Sequence, residues 1–319
     1  MERRAGPMSA ASAQARRKAL GDRMNARRLT LARRERWLFR FMLAPGLLLS
    51  IVLIFVPVLY AIGLSLYSAK SFISPFTFVG LHNYLAIFAE VRYWHAFGHS
   101  LAYAVVTVGL QIVIGIAIAH VLNVRFPGHV VVRGIALLPY VLPSVSAAYI
   151  WRWILDPNNG LVAFTLSGFN LPVIDWFGTA TMAWVSITFI SVWQWTPFVT
   201  IAYLAGLQTV PAELYEAARL DGATDWQCFT RITLPTLRHV LVVILVLRGI
   251  FMFNKFDMIW LLTGGGPLNA TENLAILSYD RTFNTFDIGG GAAVACSIFV
   301  ALHALLWLVF RLMPVEDEA

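Results

Sequence analysis

Long apolar stretches alternate with short polar segments along most of this chain. About six of the stretches carry few charges and have the roughly 20 residues that an α-helix needs to cross the hydrocarbon core of a bilayer. They lie at about 41–67, 94–122, 130–155, 179–204, 240–262 and 289–312. The pattern predicts an all-α membrane protein with about six transmembrane helices and short loops.

The composition supports a membrane protein and argues against a soluble enzyme. Charged residues make up 13% of the chain, about half the share of an ordinary soluble domain. The two cysteines, Cys228 and Cys296, are far apart and are predicted to be free thiols. Neither a metal-binding motif nor a Gly-x-Ser-x-Gly nucleophile elbow is present. We therefore predict that the chain has no catalytic site and binds no metal.

Basic residues predict the orientation of the spans. Much of the net charge of +7 precedes residue 41, in a segment without interleaved aromatic residues. We interpret this segment as a cytoplasmic tail rather than as a nucleic-acid-binding region. If the N-terminus is inside, more basic residues fall on the cytoplasmic side (Arg125, Arg133, Arg219, Arg231, Arg238 and Arg311) than on the outer side (Lys70, Arg92, Arg281, and Arg152 near a span end). Both termini are predicted to be cytoplasmic.

The predicted organisation has three parts. Residues 1–36 form a basic, mostly disordered tail because they lack a sustained apolar face. Residues 37–313 form the transmembrane domain, and residues 314–319 form an acidic tail.

A mostly polar loop at 205–239 contains strong helix signals. Pro211 suits the first turn of a helix, where its missing N–H costs nothing. Gly222 suits a left-handed C-cap, and Thr224 with Gln227 has the spacing of a capping box. The loop is predicted to be a helix, a glycine turn and a second helix on the cytoplasmic face. Its periodicity alone fits two alternatives, an amphipathic helix on lipid headgroups or a docking element for another protein.

A motif in this loop resembles the EAA loop of bacterial ABC importer permeases. The matching residues are Glu216-Ala217-Ala218, Gly222, Ile232 and Leu234-Pro235, at the spacing of that family. In the family, this loop is the coupling helix that docks into a groove on a separate ATPase subunit. The resemblance implies that the ATPase-coupling residues are Glu216, Ala217, Ala218, Asp221, Gly222, Ile232, Leu234 and Pro235.

Further segments resemble the carbohydrate branch of the same family. The segment 254–267, NKFDMIWLLTGGGP, with Asn269 and Thr271, is similar to the maltose permease-like member of a two-permease pair. The likeness covers about 40–312. It implies a type I ABC importer permease fold in the bacterial cytoplasmic (inner) membrane. The implied partners are membrane lipid, a second related permease, two ATPase subunits and an extracytoplasmic binding protein that delivers substrate to outer loops such as 263–287.

These observations lead to a functional prediction. The chain lacks a Gly-x-x-x-x-Gly-Lys phosphate loop and contains no Gly-Lys pair, so ATP is expected to be bound and hydrolysed on the separate ATPase subunits. The predicted function is the permease subunit of an ATP-driven, binding-protein-dependent importer for a carbohydrate or sugar derivative. The alternative is a secondary transporter driven by an ion gradient through buried acids. Its support is the charged cluster at 248–257.

The substrate cavity is the last predicted site. Aromatic faces stack on sugar rings, whereas amides and charged groups hydrogen-bond to sugar hydroxyls. The resemblance implies a cavity lined by Ser191, Gln194, Trp195, Phe198, Arg248, Met252 and Lys255. In the alternative interpretation, Arg248, Lys255 and Asp257 pair among the helices or reach the outer interface. Two basic groups favour an anionic substrate as a hypothesis, and the sequence leaves the sugar itself open.

Overall fold

The computed structural model describes residues 41–69, 73–124 and 127–313. The predicted tails at 1–36 and 314–319, and the basic residues Lys70 and Arg125, lie outside the described residues. The chain divides into two units at Tyr60, and everything described below from Ala61 onward belongs to the second unit.

The described chain is mostly helical. In chain order the elements are α1 Phe41–Ser65, β1 Tyr67–Ser68, β2 Thr77–Phe78, α2 His82–Ala89, α3 Val91–Asn123, α4 His129–Val141, α5 Ser144–Ile154, α6 Leu161–Gly168, α7 Ala180–Leu207, α8 Ala212–Leu220, α9 Asp225–Cys228, a π-helical turn Phe229–Thr233, α10 Leu234–Thr236, α11 Arg238–Phe253, α12 Asp257–Thr263, α13 Leu274–Tyr279, a second π-helical turn Asp280–Asn284, and α14 Ile288–Leu312. The two short strands pair antiparallel.

The number of spans agrees with the sequence prediction. Within the described residues, α1, α3, α7 and α14 are each long and apolar enough to cross a bilayer. Two bent helix pairs complete the set: α4 with α5 and the segment 225–236 with α11. Counting each bent pair as one span gives six, so the prediction of about six transmembrane helices is confirmed.

The third predicted span is not one continuous helix. α4 and α5 meet at an angle of 95°. Pro143 lacks a backbone N–H and disfavours helical geometry in the residue before it. Leu142 accordingly has φ −68° and ψ 129°, which is extended backbone. The predicted span at 130–155 is therefore present as two helices that meet at this bend.

The fifth predicted span ends earlier than expected. α11 stops at Phe253, and a short break separates it from α12. The break is stabilised because the Asn273 side-chain amide donates a hydrogen bond to the Lys255 carbonyl at 2.6 Å. Lys255 and Asp257 therefore lie beyond the helix that carries Arg248, and the predicted continuous span at 240–262 was wrong at this end.

The core is centred on α3 and α7, the helix pair with the most extensive contact. These two helices approach closely at Gly115, where an added Cβ would lie 2.8 Å from Val199 Cγ1. A larger residue there would push the helices apart. Around this pair, α11 contacts both helices, and α4 and α5 contact α7.

Ion pairs connect the segments at the end of the bundle where α3 begins. The Arg92 guanidinium donates to both carboxylate oxygens of Glu272, at 2.6 and 2.9 Å, and also contacts Asp280 at 2.8 Å. Burial raises the pKa of Asp280, but hydrogen bonds from Asn284 and Arg92 lower it more, so that pKa lies below its ordinary value. Arg281 pairs with Glu90 and Asp287 nearby.

Candidate coupling loop and substrate site

Helix α8 ends at a glycine with a left-handed backbone. Gly222 has φ +81°, a conformation that glycine adopts without the steric cost that a side chain would add. Its N–H donates to the Arg219 carbonyl at 3.1 Å, and the Ala223 N–H donates to the Ala218 carbonyl at 2.9 Å. This pair of bonds is the Schellman motif, which satisfies carbonyls that the helix end leaves free.

The second helix of the loop begins with a capping box. The Gln227 N–H donates to Thr224 Oγ1 at 3.3 Å, and the Thr224 N–H donates to Gln227 Oε1 at 2.8 Å. From α9 the chain continues through the first π-helical turn into α10. The predicted order of helix, glycine turn and helix is confirmed.

The loop is attached to the bundle by one face. The hydroxyls of Tyr215 and Thr233 lie 2.8 Å apart, and Tyr215 packs against a buried cluster that includes Tyr203 and Leu237. The other face is open, because no residue of α8 is buried. Large apolar side chains remain exposed there, with Trp226 at 70% and Leu220 at 89% of their full accessible area.

The predicted coupling residues occupy two kinds of position. Glu216, Ala217, Leu234 and Pro235 are exposed. The others line a cavity of about 330 Å³ together with Ala223, Gln227, Cys228 and Arg231: Ala218, Asp221, Gly222 and Ile232. The structure thus brings half of the motif together around one depression on the loop surface.

The open face of the loop carries more acid than base. Four carboxylates are exposed on α8, on α9 and between them, and two arginines accompany them: Glu213, Glu216, Asp221, Asp225, Arg219 and Arg231. The one ion pair described among them joins Arg219 to Asp225 at 3.3 Å, between side chains that are both largely exposed.

The predicted substrate residues gather around Trp195. The Arg248 guanidinium carbon lies 4.6 Å from the centre of the Trp195 ring and 5.8 Å from that of Phe198. The Lys255 ammonium lies 4.8 Å from the same tryptophan ring. Such distances are within the range of cation–π attraction. Tyr140 of α4 also contacts the rings of Trp195 and Phe198.

A buried glutamine of α3 links most of this group. Gln111 Oε1 accepts a hydrogen bond from Arg248 Nε at 3.0 Å. Its amide nitrogen donates to the Ser191 carbonyl at 3.4 Å and contacts Met252 Sδ at 3.8 Å. Ser191 Oγ in turn lies 2.5 Å from the Tyr103 hydroxyl. Of the seven predicted substrate residues, Ser191, Arg248, Met252 and Lys255 therefore contact Trp195 or Gln111 directly. With Trp195 itself this makes five, and Phe198 joins the group through its contact with Arg248.

Gln194, the seventh, is held elsewhere. Its amide nitrogen donates to the Leu142 carbonyl at 3.1 Å, at the break between α4 and α5. Three buried polar atoms in this region have no partner within the described part of the chain: Gln194 Oε1, Trp195 Nε1 and Arg248 Nη2. Buried polar groups are normally paired, so such atoms mark a place where a ligand or partner is expected.

The positive charges of Lys255 and Arg248 are neutralised to different extents. Lys255 pairs with Asp257 at 2.9 Å, as the alternative interpretation of these charges predicted. Arg248 is only 2% exposed, and no carboxylate of the described residues lies within ion-pair distance of it. Its neighbours are an amide and two aromatic faces. The positive charge of Arg248 is therefore not neutralised within the described chain.

Sequence reasoning missed Gln111, Tyr103 and Tyr140. A signal for Gln111 existed, because an amide inside a long apolar span is costly and is by default a functional candidate. No such signal pointed to the Leu142 carbonyl, because this carbonyl is free to accept the bond from Gln194 only where the chain bends at Pro143.

Comparison with known proteins shows which family the chain belongs to. Residues 111–314 match the family model described as binding-protein-dependent transport system inner membrane component. The chain is 38% identical over 267 residues to the trehalose/maltose transport system permease protein MalF of Thermococcus litoralis, covering 84% of this chain and 90% of that protein. It is 33% identical over 294 residues to the trehalose transport system permease protein SugA of Mycobacterium tuberculosis, with coverage of 92% and 91%.

A third relative and a solved structure complete the comparison. The chain is 31% identical over 284 residues to the sulfoquinovosyl glycerol transport system permease protein SmoG of Agrobacterium fabrum, with coverage of 89% and 92%. A chain of a bacterial ABC transporter that imports the acidic polysaccharide alginate superimposes with a TM-score of 0.78 at 23% identity, over 91% of this chain and 100% of that one. The fold is thus the type I ABC importer permease fold. The chain belongs to the inner membrane components of binding-protein-dependent transport systems and is a multi-pass permease of the inner membrane.

Proposed function

We propose that this chain is one of two permease subunits in an ATP-driven importer of a carbohydrate or sugar derivative. Three relatives that are 31–38% identical carry names that specify trehalose, maltose or sulfoquinovosyl glycerol. These names include neutral and anionic sugars, so the class of substrate is supported more strongly than its charge. A second related permease and an extracytoplasmic binding protein complete the outer part of the assembly.

The coupling loop is the observation that carries this proposal. A well-capped pair of helices presents exposed apolar and acidic side chains, with Trp226 and Leu220 the most prominent apolar ones. Exposed apolar side chains set among charged residues outside the spans are typical of protein interaction surfaces. The chain has no phosphate loop of its own, so the loop docks on a separate ATPase subunit through Glu216–Gly222 and the segment around Ile232, Leu234 and Pro235.

Transport then requires a conformational equilibrium that both ATP and substrate bias. ATP binding draws the ATPases and the attached loops together, which opens the predicted substrate cavity around Trp195 to the outside. Hydrolysis reverses the change. Arg248, Lys255 and their neighbours contact the sugar during this cycle. Asp257 is paired with Lys255, so no observation in the described chain favours coupling to an ion gradient.

The test is uptake by the complete complex in proteoliposomes, with trehalose, maltose and sulfoquinovosyl glycerol as probes. Gly222→Asp places a side chain at φ +81° and adds charge to the docking face. We expect it to reduce ATP-driven uptake at least tenfold while insertion into the membrane is unchanged.

The matched control is Gly80→Asp. Gly80 also has a positive φ, +57°, and open space around it, but it lies far along the chain from the coupling loop. Uptake should stay within twofold of wild type. Normal uptake by Gly222→Asp, failure of that variant to insert, or wild-type uptake that needs an ion gradient instead of ATP would contradict the proposal.

A further inference from the structure

Gln111 occupies a position that connects three helices of the core. It lies on α3 and is fully buried. Its amide contacts α7 at the Ser191 carbonyl and α11 at Arg248 and Met252. A glutamine amide has both donor and acceptor atoms, and here the acceptor meets the arginine while the donor meets the carbonyl.

The hydrogen bond between Gln111 and Arg248 determines which guanidinium nitrogen is available to a ligand. Gln111 accepts from Nε of Arg248, and Trp195 lies 4.6 Å from the guanidinium carbon. The Nη2 atom remains buried and without a partner. Because the guanidinium is planar and rigid, fixing Nε also fixes the direction of the Nη2 donors.

We propose that Gln111 is a positioning residue that holds Arg248 with its free edge directed at an oxygen atom of the transported saccharide. The inference rests on the proposed function and adds to it a residue and a specific contact. Sugars offer many oxygen acceptors, as hydroxyls or as a carboxylate or sulfonate, and a buried N–H without a partner is costly until such an acceptor arrives.

The identity of the residue supports this role. A glutamate at position 111 would form an ion pair with Arg248 and cancel its charge. The neutral amide orients the guanidinium and leaves the charge available to the ligand. Lys255 shows the contrast within the same cluster, because its charge is already paired with Asp257 at 2.9 Å.

The test combines two substitutions in the complete transporter. The measured quantity is ATP-driven import of whichever of trehalose, maltose and sulfoquinovosyl glycerol the wild type accepts. The maximal rate is taken at a saturating concentration of sugar-loaded binding protein. We expect Gln111→Leu to lower the maximal rate at least tenfold and to leave the half-saturating concentration of loaded binding protein within twofold. In an Arg248→Met background, the same change should add less than twofold, because Gln111 acts through Arg248.

Thr107→Val is the matched control. Thr107 is a buried polar residue one turn away on α3, and within the described residues its hydroxyl donates to the carbonyls of Tyr103 and Ala104 on the same helix. This variant should import within twofold of wild type. Gln111→Leu and Arg248→Met should also retain the second permease on purification.

Three results would overturn the inference. Losses from Gln111→Leu and Arg248→Met that multiply in the double variant would mean that Gln111 acts independently of the arginine. If Thr107→Val lowered import as much as Gln111→Leu does, α3 would tolerate the removal of no buried polar group. Loss of the second permease from Arg248→Met would assign the free edge to the partner subunit. Absence of ATP-driven import by wild type would instead contradict the proposed function, so the two failures are distinguishable.

Discussion

At the scale of single residues, three cations of the bundle differ in the groups that surround them. Lys255 has a carboxylate partner, Arg92 has two, and Arg248 has an amide and aromatic faces. The sequence was sufficient to nominate Arg248 and Lys255, because charges near apolar spans are few. It was not sufficient to assign their partners, since Gln111 and Arg248 are 137 positions apart and meet only through helix packing.

The Arg92 ion pair leads to a stability prediction. The Glu272 side chain is 4% exposed, so removing its partner leaves a buried carboxylate unpaired. We expect Arg92→Met to lower the free energy of unfolding by about 2 kcal/mol. Glu272→Gln should cost less, because the amide oxygen still accepts a hydrogen bond. The measurement is a denaturing-detergent titration of the purified protein.

The comparison for this prediction is Arg219→Ala. Arg219 pairs with Asp225 at 3.3 Å, but the two side chains are 65% and 92% exposed. Exposed ion pairs contribute about 0–1 kcal/mol, so this variant should unfold close to wild type. If Arg92→Met is no more destabilising than Arg219→Ala, the ion pair to the buried Glu272 has no special role in stability.

At the scale of elements, local signals were predicted well and long-range effects were not. The coupling loop follows from neighbouring residues: Gly222 ends one helix, and Thr224 with Gln227 begins the next. The bend at Leu142–Pro143 did not follow, because a proline within an apolar run is compatible with either a kinked span or a 95° turn. The angle is settled by packing of α4 and α5 against α7, which the sequence pattern does not contain.

The capping box gives a prediction for the coupling loop. α9 has only four residues, so it depends on the Thr224 side chain for its start. Thr224→Ala should destabilise this helix locally by about 1 kcal/mol, seen as faster amide hydrogen exchange across 225–233. Thr224→Ser keeps the hydroxyl and should exchange like wild type. Equal exchange in all three proteins would show that α9 is held by its packing alone.

At the scale of the whole molecule, hydropathy was sufficient to predict the number of spans, because each apolar run is long enough to be recognised as a span. The distribution of basic residues predicts which side of the membrane each loop faces. The length of an apolar run cannot predict this orientation. If both termini are cytoplasmic, the coupling loop lies on the same side as the termini, and the loop before α13 lies on the opposite side. This arrangement is also what ATP-driven import of an external sugar requires.

Two exposed positions allow this direction to be measured. Leu268 is fully exposed in the loop before α13, and the Asp225 side chain is 92% exposed in the coupling loop. In a background without Cys228 and Cys296, Leu268→Cys should react with a membrane-impermeant maleimide in spheroplasts, whereas Asp225→Cys should react only after the membrane is permeabilised. The reverse pattern would place the coupling loop outside, where no ATPase could reach it. Because both side chains are open to solvent, a difference in labelling reports the side of the membrane rather than burial.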